Sequence, residues 1–194
     1  MFGARIVKII LVRHAQTNIE PEVNSTQWTL SDDGRQAAAR LASSAIFEGS
    51  DAIYSSLQPK AIETAEIIGQ ALRMPAGQEE GLAELSSVTS GFIDDYAGTV
   101  HRLYAGEIES INGGETLDQA LERFNRAVGS IATKHVDEDK IVIVSHANVL
   151  SLFTAQYSDR EAIDLHNTIT MPDVAVLDWN GSDSSFDQLW GDAA

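Results

Sequence analysis

The sequence contains no cysteine. Disulfide bonds, zinc sites with cysteine ligands and catalysis by a cysteine nucleophile are therefore excluded. Positive charge is scarce too, because 13 lysines and arginines stand against 29 aspartates and glutamates, a formal net charge of −16 at pH 7. Surfaces that bind nucleic acid or anionic membranes need clustered cations, so we expect neither partner. The acidity is most simply explained by solubility.

Long hydrophobic runs are missing as well. Residues 6–12 form a short apolar stretch that Lys8 interrupts, and the stretch is too short to span a membrane. No small-residue cleavage site follows it, so it is not predicted to be a signal peptide. We expect a cytoplasmic protein. The length of 194 residues suits a single domain with a sizeable core, and nothing in the sequence indicates its oligomeric state.

Apolar patterning predicts strands and helices that alternate along the chain. Near-continuous apolar runs are typical of buried strands, and apolar residues at intervals of three and four predict amphipathic helices. The predicted strands are residues 5–12, 52–55, 140–144 and 174–179, and the predicted helices are residues 32–44, 59–72 and 117–132, with another after residue 146. This alternation predicts an α/β fold, namely a three-layer α/β/α sandwich with a mainly parallel sheet.

Three predicted helices carry start signals. Ser31 is expected to cap the first helix, and Pro59 suits the first turn of the second. Thr116 and Gln119 fit a capping box at the start of the third. These signals fix where three of the helices should begin.

Two stretches are harder to interpret. Residues 76–115 show little sustained periodicity except around residues 93–104, so we expect a small flap or cap there, beside the functional site. The polar tail after residue 180 is predicted to be partly loose. Its apolar side chains that could dock are Phe186, Leu189 and Trp190.

Two histidines occur in the same context. His14 and His146 each follow a buried strand, and ligands of open α/β sheets bind beyond the carboxyl ends of the strands. If the two strands are neighbours, the two imidazoles converge although they are far apart in sequence. Either histidine by itself is more commonly a hydrogen-bonded turn or core residue. His135 and His166 are expected on surfaces or in loops.

Two of the few cations also stand at strand ends. Arg13 precedes His14, where a guanidinium can bind phosphate through two hydrogen bonds. Lys60 opens a helix, and the positive end of a helix accommodates a cation best when an anion is bound there. As alternatives, Arg13 could form a structural ion pair with a nearby carboxylate, and Lys60 could be a solvated helix residue. Glu84, considered by itself, is expected to be an ordinary surface acid. Metal binding by the histidines with carboxylates stays open, although no closely spaced ligand pair supports it.

Six segments, in order along the chain, together resemble the signature of the histidine phosphatase superfamily, also called the phosphoglycerate-mutase-like family. The first is Arg13-His14-Ala15 with the residues around it, and the last is the Val-Ser-His-Ala segment at 144–147. The four between them are residues 30–37, 54–65, 82–84 and 113–116. The resemblance covers residues 6–150.

The resemblance implies a phosphoglycerate-mutase-like fold, no metal, no cofactor and a role for each matching residue. His14 would attack phosphorus and carry the phosphoryl group, and Glu84 would protonate the leaving oxygen and later activate water. His146 would act in catalysis and also help to hold the phosphate. The implied phosphate-binding residues are Arg13, Thr17, Lys60 and His146. Phosphoryl transfer depends mainly on alignment and charge stabilisation, which such a cluster can supply without a metal.

Three positions depart from the family pattern. Lys60 stands where arginine is usual, which keeps the charge but loses the two-pronged contact. Ala147 replaces a glycine, which would matter if the backbone there needed a positive φ. Glu20 stands in place of an asparagine, and its carboxylate would repel phosphate unless it turns away.

The leading functional hypothesis is a phosphatase acting on a phosphorylated small molecule. A phosphomutase is the alternative at the same site, although the chain lacks the longer insertion associated with glycolytic mutases of the family. A phosphoprotein phosphatase and a degenerate protein that binds phospho-ligands without turnover are also considered. Residues 16–30 and 85–115 would form the pocket walls, with His101, Arg102 and Tyr104 as side chains that could reach in.

Overall fold

The computed structural model describes residues 6–87, 92–135 and 139–191. One six-stranded sheet runs through the molecule in the order β3-β2-β4-β1-β5-β6. The strands are β1 (Val7–Arg13), β2 (Ala52–Ser55), β3 (Ala76–Gln78), β4 (Lys140–Ser145), β5 (Asp173–Trp179) and β6 (Ser185–Gln188). The first four in sheet order are parallel, whereas β5 and β6 join by antiparallel pairing.

Six α-helices accompany the sheet within the described residues. They are α1 (Asp32–Ala42), α2 (Pro59–Leu72), α3 (Tyr96–Tyr104), α4 (Leu117–Ala132), α5 (Ala147–Ala155) and α6 (Ala162–Thr168). The start signals in the sequence operate as predicted. Ser31 accepts a hydrogen bond from the backbone N–H of Gly34, Pro59 begins α2, and Thr116 forms a capping box with Gln119. Helix α1 ends at Ala42, two residues earlier than predicted.

The alternating side chains of β1 show why the fold has three layers. Ile9 and Leu11 belong to a buried cluster that includes Phe124 of α4 and Phe153 of α5. Their neighbours along the strand point the other way and pack with residues of α1 and α2. Because each face of the sheet is covered by helices, a strand such as β1 is apolar throughout. The predicted α/β/α sandwich with a mainly parallel sheet is confirmed.

The structure contains elements that the sequence pattern did not predict. They are the short strand β3, the helix α6 and the strand β6. The tail expected to be partly loose is paired and packed as far as Trp190, and two of the side chains named as able to dock do so. Strand β6 pairs with β5, Phe186 packs against the buried cluster, and Trp190 is buried and donates its indole N–H to the hydroxyl of Thr154 at 3.0 Å. Apolar burial and sheet pairing hold this segment although its composition is polar.

The segment predicted as a flap, residues 76–115, contains β3 and α3. Helix α3 begins at Tyr96, where the side chain of Asp95 accepts a hydrogen bond from the backbone N–H of Gly98. Residues 88–91 of this segment lie outside the described residues, and a flap function stays a prediction. Within the described ranges, no helix is long and apolar enough to cross a membrane.

Candidate active site

The pairing of β1 with β4 brings the two predicted histidines together. Arg13 lies opposite Ser145 in the parallel register, so His14 and His146 follow at the same sheet edge. The backbone N–H of His14 donates to the carbonyl of Ser145 at 3.0 Å. The centroids of the two imidazole rings lie 5.1 Å apart. The predicted convergence of the two histidines is therefore observed.

The ring of His14 is oriented by its own backbone. Its Nδ1 lies 2.8 Å from the carbonyl oxygen of Ala15, an acceptor only, so Nδ1 carries the proton and Nε2 presents a lone pair. Burial above all, with the charges of Lys60 and Arg13, lowers the pKa of His14 to about 3, against the opposing effect of the hydrogen bond to Ala15. His14 is therefore a neutral imidazole at pH 7 with one ring nitrogen available as a nucleophile.

His146 is completely buried and bonds to a residue that sequence reasoning missed. Its Nε2 shares a hydrogen bond with the hydroxyl of Ser56 at 2.7 Å. Ser56 directly follows β2, so it too stands at the carboxyl end of a strand, and that position is the signal that could have found it. Burial, followed by the charge of His14, holds the pKa of His146 well below its usual range. Its Nδ1 has no hydrogen-bond partner within the described residues.

Arg13 is anchored by backbone oxygens at the end of α6. Its Nη1 donates to the carbonyl of Ile169 at 2.6 Å, and its Nε is buried without a partner among the residues that the structure describes. Burial lowers the pKa of Arg13, while the charges of Glu84 and Asp173 oppose that shift. This anchoring leaves other donors of the guanidinium for a ligand at the sheet edge.

Lys60 is buried, with 7% of its surface exposed. Its ammonium donates to the carbonyl of Ser25 at 2.7 Å and lies 6.0 Å from the centroid of the Trp28 ring. Burial lowers the pKa of Lys60 to about 8, with Arg13 lowering it and Glu84 raising it. The solvated alternative for Lys60 is thus wrong. The ammonium keeps a single charge inside the site where a guanidinium would be bulkier and flat.

Glu84 lies over the start of α5 and is not the isolated surface acid that its local sequence suggests. Its carboxylate accepts from the backbone N–H of Asn148 and from the Asn148 side-chain amide, both at 3.2 Å. A second carboxylate oxygen accepts from the backbone N–H of Leu85 at 2.9 Å. Helix N-termini favour negative charge, so this end of α5 stabilises the carboxylate where it stands.

Arg123 of α4 holds the loop that carries Glu84. Its guanidinium donates to the carbonyls of Gly81 and Ala83 at 2.9 and 3.0 Å, and it pairs with Glu115 through two contacts of 2.7 Å. The pairing also holds the pKa of Glu115 below its usual value of 4.5. Residues far apart in sequence are thereby locked together beneath the candidate acid.

The structure locates the other two departures from the family pattern, Ala147 and Glu20. Ala147 is the first residue of α5 and has no positive φ, so glycine is not required there. Glu20 is exposed, and its carboxylate accepts from the side chain of Asn18 at 3.2 Å. Thr17 pairs with Leu30 in an isolated bridge that fixes the loop after His14, and its contact with phosphate stays a prediction.

Two tyrosines and a histidine lie around the candidate site. The Tyr96 hydroxyl accepts from the Asn148 amide at 2.8 Å, and the Tyr104 hydroxyl bonds to Ser151 at 2.9 Å. Burial raises the pKa of both tyrosines. His166, expected on the surface or in a loop, is instead a half-buried residue of α6, 6.0 Å from the ring of Tyr104. Of the other side chains expected to reach in, Arg102 pairs instead with the exposed Glu107.

The positions of the His, Asp and Glu side chains bear on the alternative that the site binds a metal ion. Throughout residues 6–87, 92–135 and 139–191, no group of three or more His, Asp or Glu side chains could hold a metal ion together. What the geometry brings to one place is two neutral imidazoles, the buried Lys60 ammonium, the half-buried Arg13 guanidinium and one carboxylate. Independence from metals stays a prediction.

Two curated relatives resemble the chain in sequence. It is 29% identical over 202 residues to phosphoglycerate mutase-like protein 4 of Arabidopsis thaliana, covering 96% of this chain and 86% of that protein. It is 28% identical over 155 residues to phosphoserine phosphatase 1 of Hydrogenobacter thermophilus, covering 73% and 71% respectively.

A mycobacterial glucosyl-3-phosphoglycerate phosphatase has the same fold. Its structure superposes with a TM-score of 0.76 at 18% identity and covers 95% of this chain and 99% of that one. The sequence itself matches the histidine phosphatase superfamily (branch 1) over residues 9–190. That match spans β1 to β6 and includes both histidines of the site. On this evidence, the chain belongs to the histidine phosphatase superfamily.

Proposed function

We propose that the protein is a metal-independent phosphatase that hydrolyses a phosphomonoester through a phosphohistidine on His14. The observation that carries the proposal is the state of His14. Its Nδ1 proton is committed to the carbonyl of Ala15, its pKa is lowered to about 3, and the charges of Lys60 and Arg13 act on it. A neutral imidazole with a free Nε2, placed beside cations, is suited to attack a phosphate dianion.

The first step forms a bond between Nε2 of His14 and phosphorus while the ester P–O bond breaks. Glu84, whose carboxylate takes up a proton when the phosphate dianion binds beside it, gives that proton to the departing oxygen, and the alcohol leaves. Arg13 and Lys60 balance the charge on the phosphoryl oxygens, and His146 contacts the same group. Thr17 is proposed as a further phosphate contact.

In the second step Glu84 takes a proton from water as the water oxygen attacks phosphorus. The N–P bond then breaks, inorganic phosphate leaves, and His14 is again neutral. Glu84 thus acts as an acid and then as a base, so its protonation state is restored after each turnover. Splitting one displacement into two lets the same cations serve both.

Residues 76–115 contribute to this proposal as a flap within one domain. Glu84, Tyr96 and Tyr104 all come from this segment, and each contacts residues of α5. A segment that carries the acid and also packs over the helix start can shield the phosphoryl group from bulk water.

The relatives' names support hydrolysis, because two of the three describe phosphatases. The relative named as mutase-like keeps a phosphomutase as the second candidate. A mutase of this kind would need priming by a diphosphorylated sugar acid and would return phosphate to an acceptor. A phosphatase needs no primer and releases inorganic phosphate.

The test is hydrolysis of p-nitrophenyl phosphate in excess chelator by the native protein, by His14→Ala and by His135→Ala. His135 is the matched control, because it bonds to Tyr54 and Asp139 outside the site. We expect turnover in the native protein and the control and none in His14→Ala. Equal turnover in all three, or turnover that the chelator abolishes, would contradict the proposal. Tight vanadate binding without turnover would indicate a binding protein instead.

A further inference from the structure

The exposed large apolar side chains are concentrated around the candidate site. Those exposed over two fifths of their surface within the described residues are Ile6 48%, Ile19 60%, Leu57 49%, Phe92 45%, Tyr96 43% and Met171 43%. All but Ile6 lie in segments that carry or touch site residues. Leu57 follows Ser56, the partner of His146, and Met171 follows Thr170, whose carbonyl lies 3.5 Å from the Arg13 guanidinium. Exposed apolar groups gathered at one place mark binding surfaces.

Three aromatic residues define the best-supported part of this surface, which we call the aromatic arc: Trp28, Phe92 and Tyr96. The ring of Trp28 lies 6.0 Å from the ammonium of Lys60 and 6.4 Å from the ring of Phe92. The hydroxyl of Tyr96 is held by Asn148, while much of its ring remains exposed. One end of the arc therefore lies against a proposed phosphate-binding cation, and the other lies beside the candidate acid.

Fixed hydrogen bonds hold the arc in place. The indole N–H of Trp28 lies 3.0 Å from the carbonyl oxygens of both Glu20 and Val23, so the ring is oriented by its own loop. The Tyr96 ring is oriented by its hydroxyl contact. Aromatic side chains that are held this way lose little freedom when a ligand packs against them.

Within the described residues, the cations that act on the two histidines are already engaged and offer no partner to a second anionic group. The positive side chains that act on His14 are Lys60 and Arg13, both already assigned to the phosphoryl group. Arg123 also acts on His146, but its guanidinium is occupied by Glu115 and by backbone carbonyls. A substrate carboxylate beside the phosphate would therefore be desolvated without a counter-charge, which is unfavourable.

We infer that the aromatic arc binds the leaving group of the substrate, and that this leaving group is an uncharged apolar or aromatic alcohol. The inference rests on the proposed phosphatase function and names its substrate class. Phosphomonoesters whose alcohol carries a carboxylate, such as phosphoserine and 3-phosphoglycerate, are correspondingly poor substrates.

The first test is kcat/KM for n-alkyl phosphates from ethyl to hexyl. Their alcohols have nearly the same acidity, so the chemical step is constant and only the apolar area changes. A fully buried methylene contributes about fourfold, so partial burial against the arc should raise kcat/KM about tenfold or more across the series. A series that is flat or falling would overturn the inference.

A second comparison isolates the carboxylate. Glycerol 1-phosphate and 3-phosphoglycerate differ only by a hydroxymethyl group in place of a carboxylate. We expect glycerol 1-phosphate to be hydrolysed with the higher kcat/KM. The reverse order would show that a counter-charge for the carboxylate exists and would overturn the inference.

Phe92→Ala tests the surface itself, with Ile6→Ala as the matched control. Both positions are about half exposed, but Ile6 precedes β1 at the end opposite to His14. Phe92→Ala should reduce kcat/KM for hexyl phosphate about fivefold more than that for ethyl phosphate, because the longer chain makes more contact with the arc. Ile6→Ala should change neither, and equal values for native protein and Phe92→Ala would count against the arc.

The failure of this inference is distinguishable from failure of the proposed function. If the function is wrong, no phosphate ester is hydrolysed in a way that depends on His14. If only the inference is wrong, hydrolysis still requires His14, but it does not respond to chain length or to Phe92→Ala.

Discussion

Asn148 lies between Glu84 and Tyr96 and hydrogen-bonds to both. Its side-chain amide donates to the carboxylate of Glu84 at 3.2 Å and to the hydroxyl of Tyr96 at 2.8 Å. Asn148 is fully buried in the first turn of α5, two residues after His146. One rigid residue therefore sets the position of the candidate acid relative to His146, and the backbone of the same residue reinforces the contact.

Asn148→Ala should lower kcat through Glu84. A hydrogen bond to a charged group contributes about 1.5–3 kcal/mol, so the loss should be about tenfold or more. In the background of Glu84→Gln the same substitution should have a much smaller effect, since residues that act together are not additive. Equal effects of Asn148→Ala in both backgrounds would mean that Asn148 acts independently of Glu84.

Glu84→Gln should slow the hydrolysis of esters with poor leaving groups. General acid catalysis contributes about 100-fold to 10,000-fold, and alkyl phosphates need the proton whereas dinitrophenyl phosphate does not. The ratio of kcat/KM for the two substrates is the measurement, because kcat/KM reports the first step, in which the leaving group departs, and not the hydrolysis of the phosphohistidine that both esters share. Glu80→Gln, an exposed acid in the turn before Glu84, is the control and should leave the ratio unchanged. A uniform loss for both esters would contradict the role of Glu84 as an acid.

Lys60 should impose an alkaline limit on activity. Its pKa is lowered to about 8, so the ammonium is charged below that pH and becomes neutral as the pH rises through it. The profile of kcat/KM should therefore decline above pH 8. Lys60→Arg keeps the charge at all accessible pH values and should remove this decline. Persistence of the same decline in Lys60→Arg would assign it to another group.

Arg123 should matter chiefly for stability. Its pair with Glu115 is mostly buried, at 20% and 22% exposure, so Arg123→Met leaves a carboxylate and backbone carbonyls unpaired and should cost about 3 kcal/mol. The exposed pair Arg126 and Glu122 is the control, and Arg126→Met should cost less than about 0.5 kcal/mol. Urea unfolding provides the measurement, and equal costs for the two variants would contradict the prediction.

The same pair predicts the dependence of stability on pH. Because the pKa of Glu115 is lower in the folded protein, its contribution is complete above the usual value of 4.5 and is lost as the pH falls through the folded pKa. The difference in unfolding free energy between native protein and Arg123→Met should shrink over that acidic range.

The sequence predicts the elements with strong local patterns. The apolar runs of β1 and β4 are unambiguous, and the capping signals at Ser31 and Thr116 correctly locate two helix starts. Strand β3 has only three residues, one of them Gly77, so no periodicity can indicate it. Strand β6 is recognisable only through its pairing with β5, which is a tertiary contact.

In the candidate site, too, some features follow from local sequence patterns and others depend on tertiary contacts. The two histidines can be predicted to converge because each follows a buried strand, and strand ends of a parallel sheet meet at one edge. The surroundings of Glu84 cannot be predicted, since its partner Asn148 is 64 residues away and contributes through a helix start rather than a motif. The burial of Lys60 depends likewise on Ser25, in a loop without periodicity.

The most direct test of the central claim is the capture of the covalent intermediate. Native protein is mixed with excess p-nitrophenyl phosphate, quenched rapidly at alkaline pH, where phosphohistidine survives, and digested for mass spectrometry. The account predicts an added phosphoryl group on His14 that acid removes and that is absent in His14→Ala. Turnover with no phosphoryl group on His14, or with one on another residue, would contradict it.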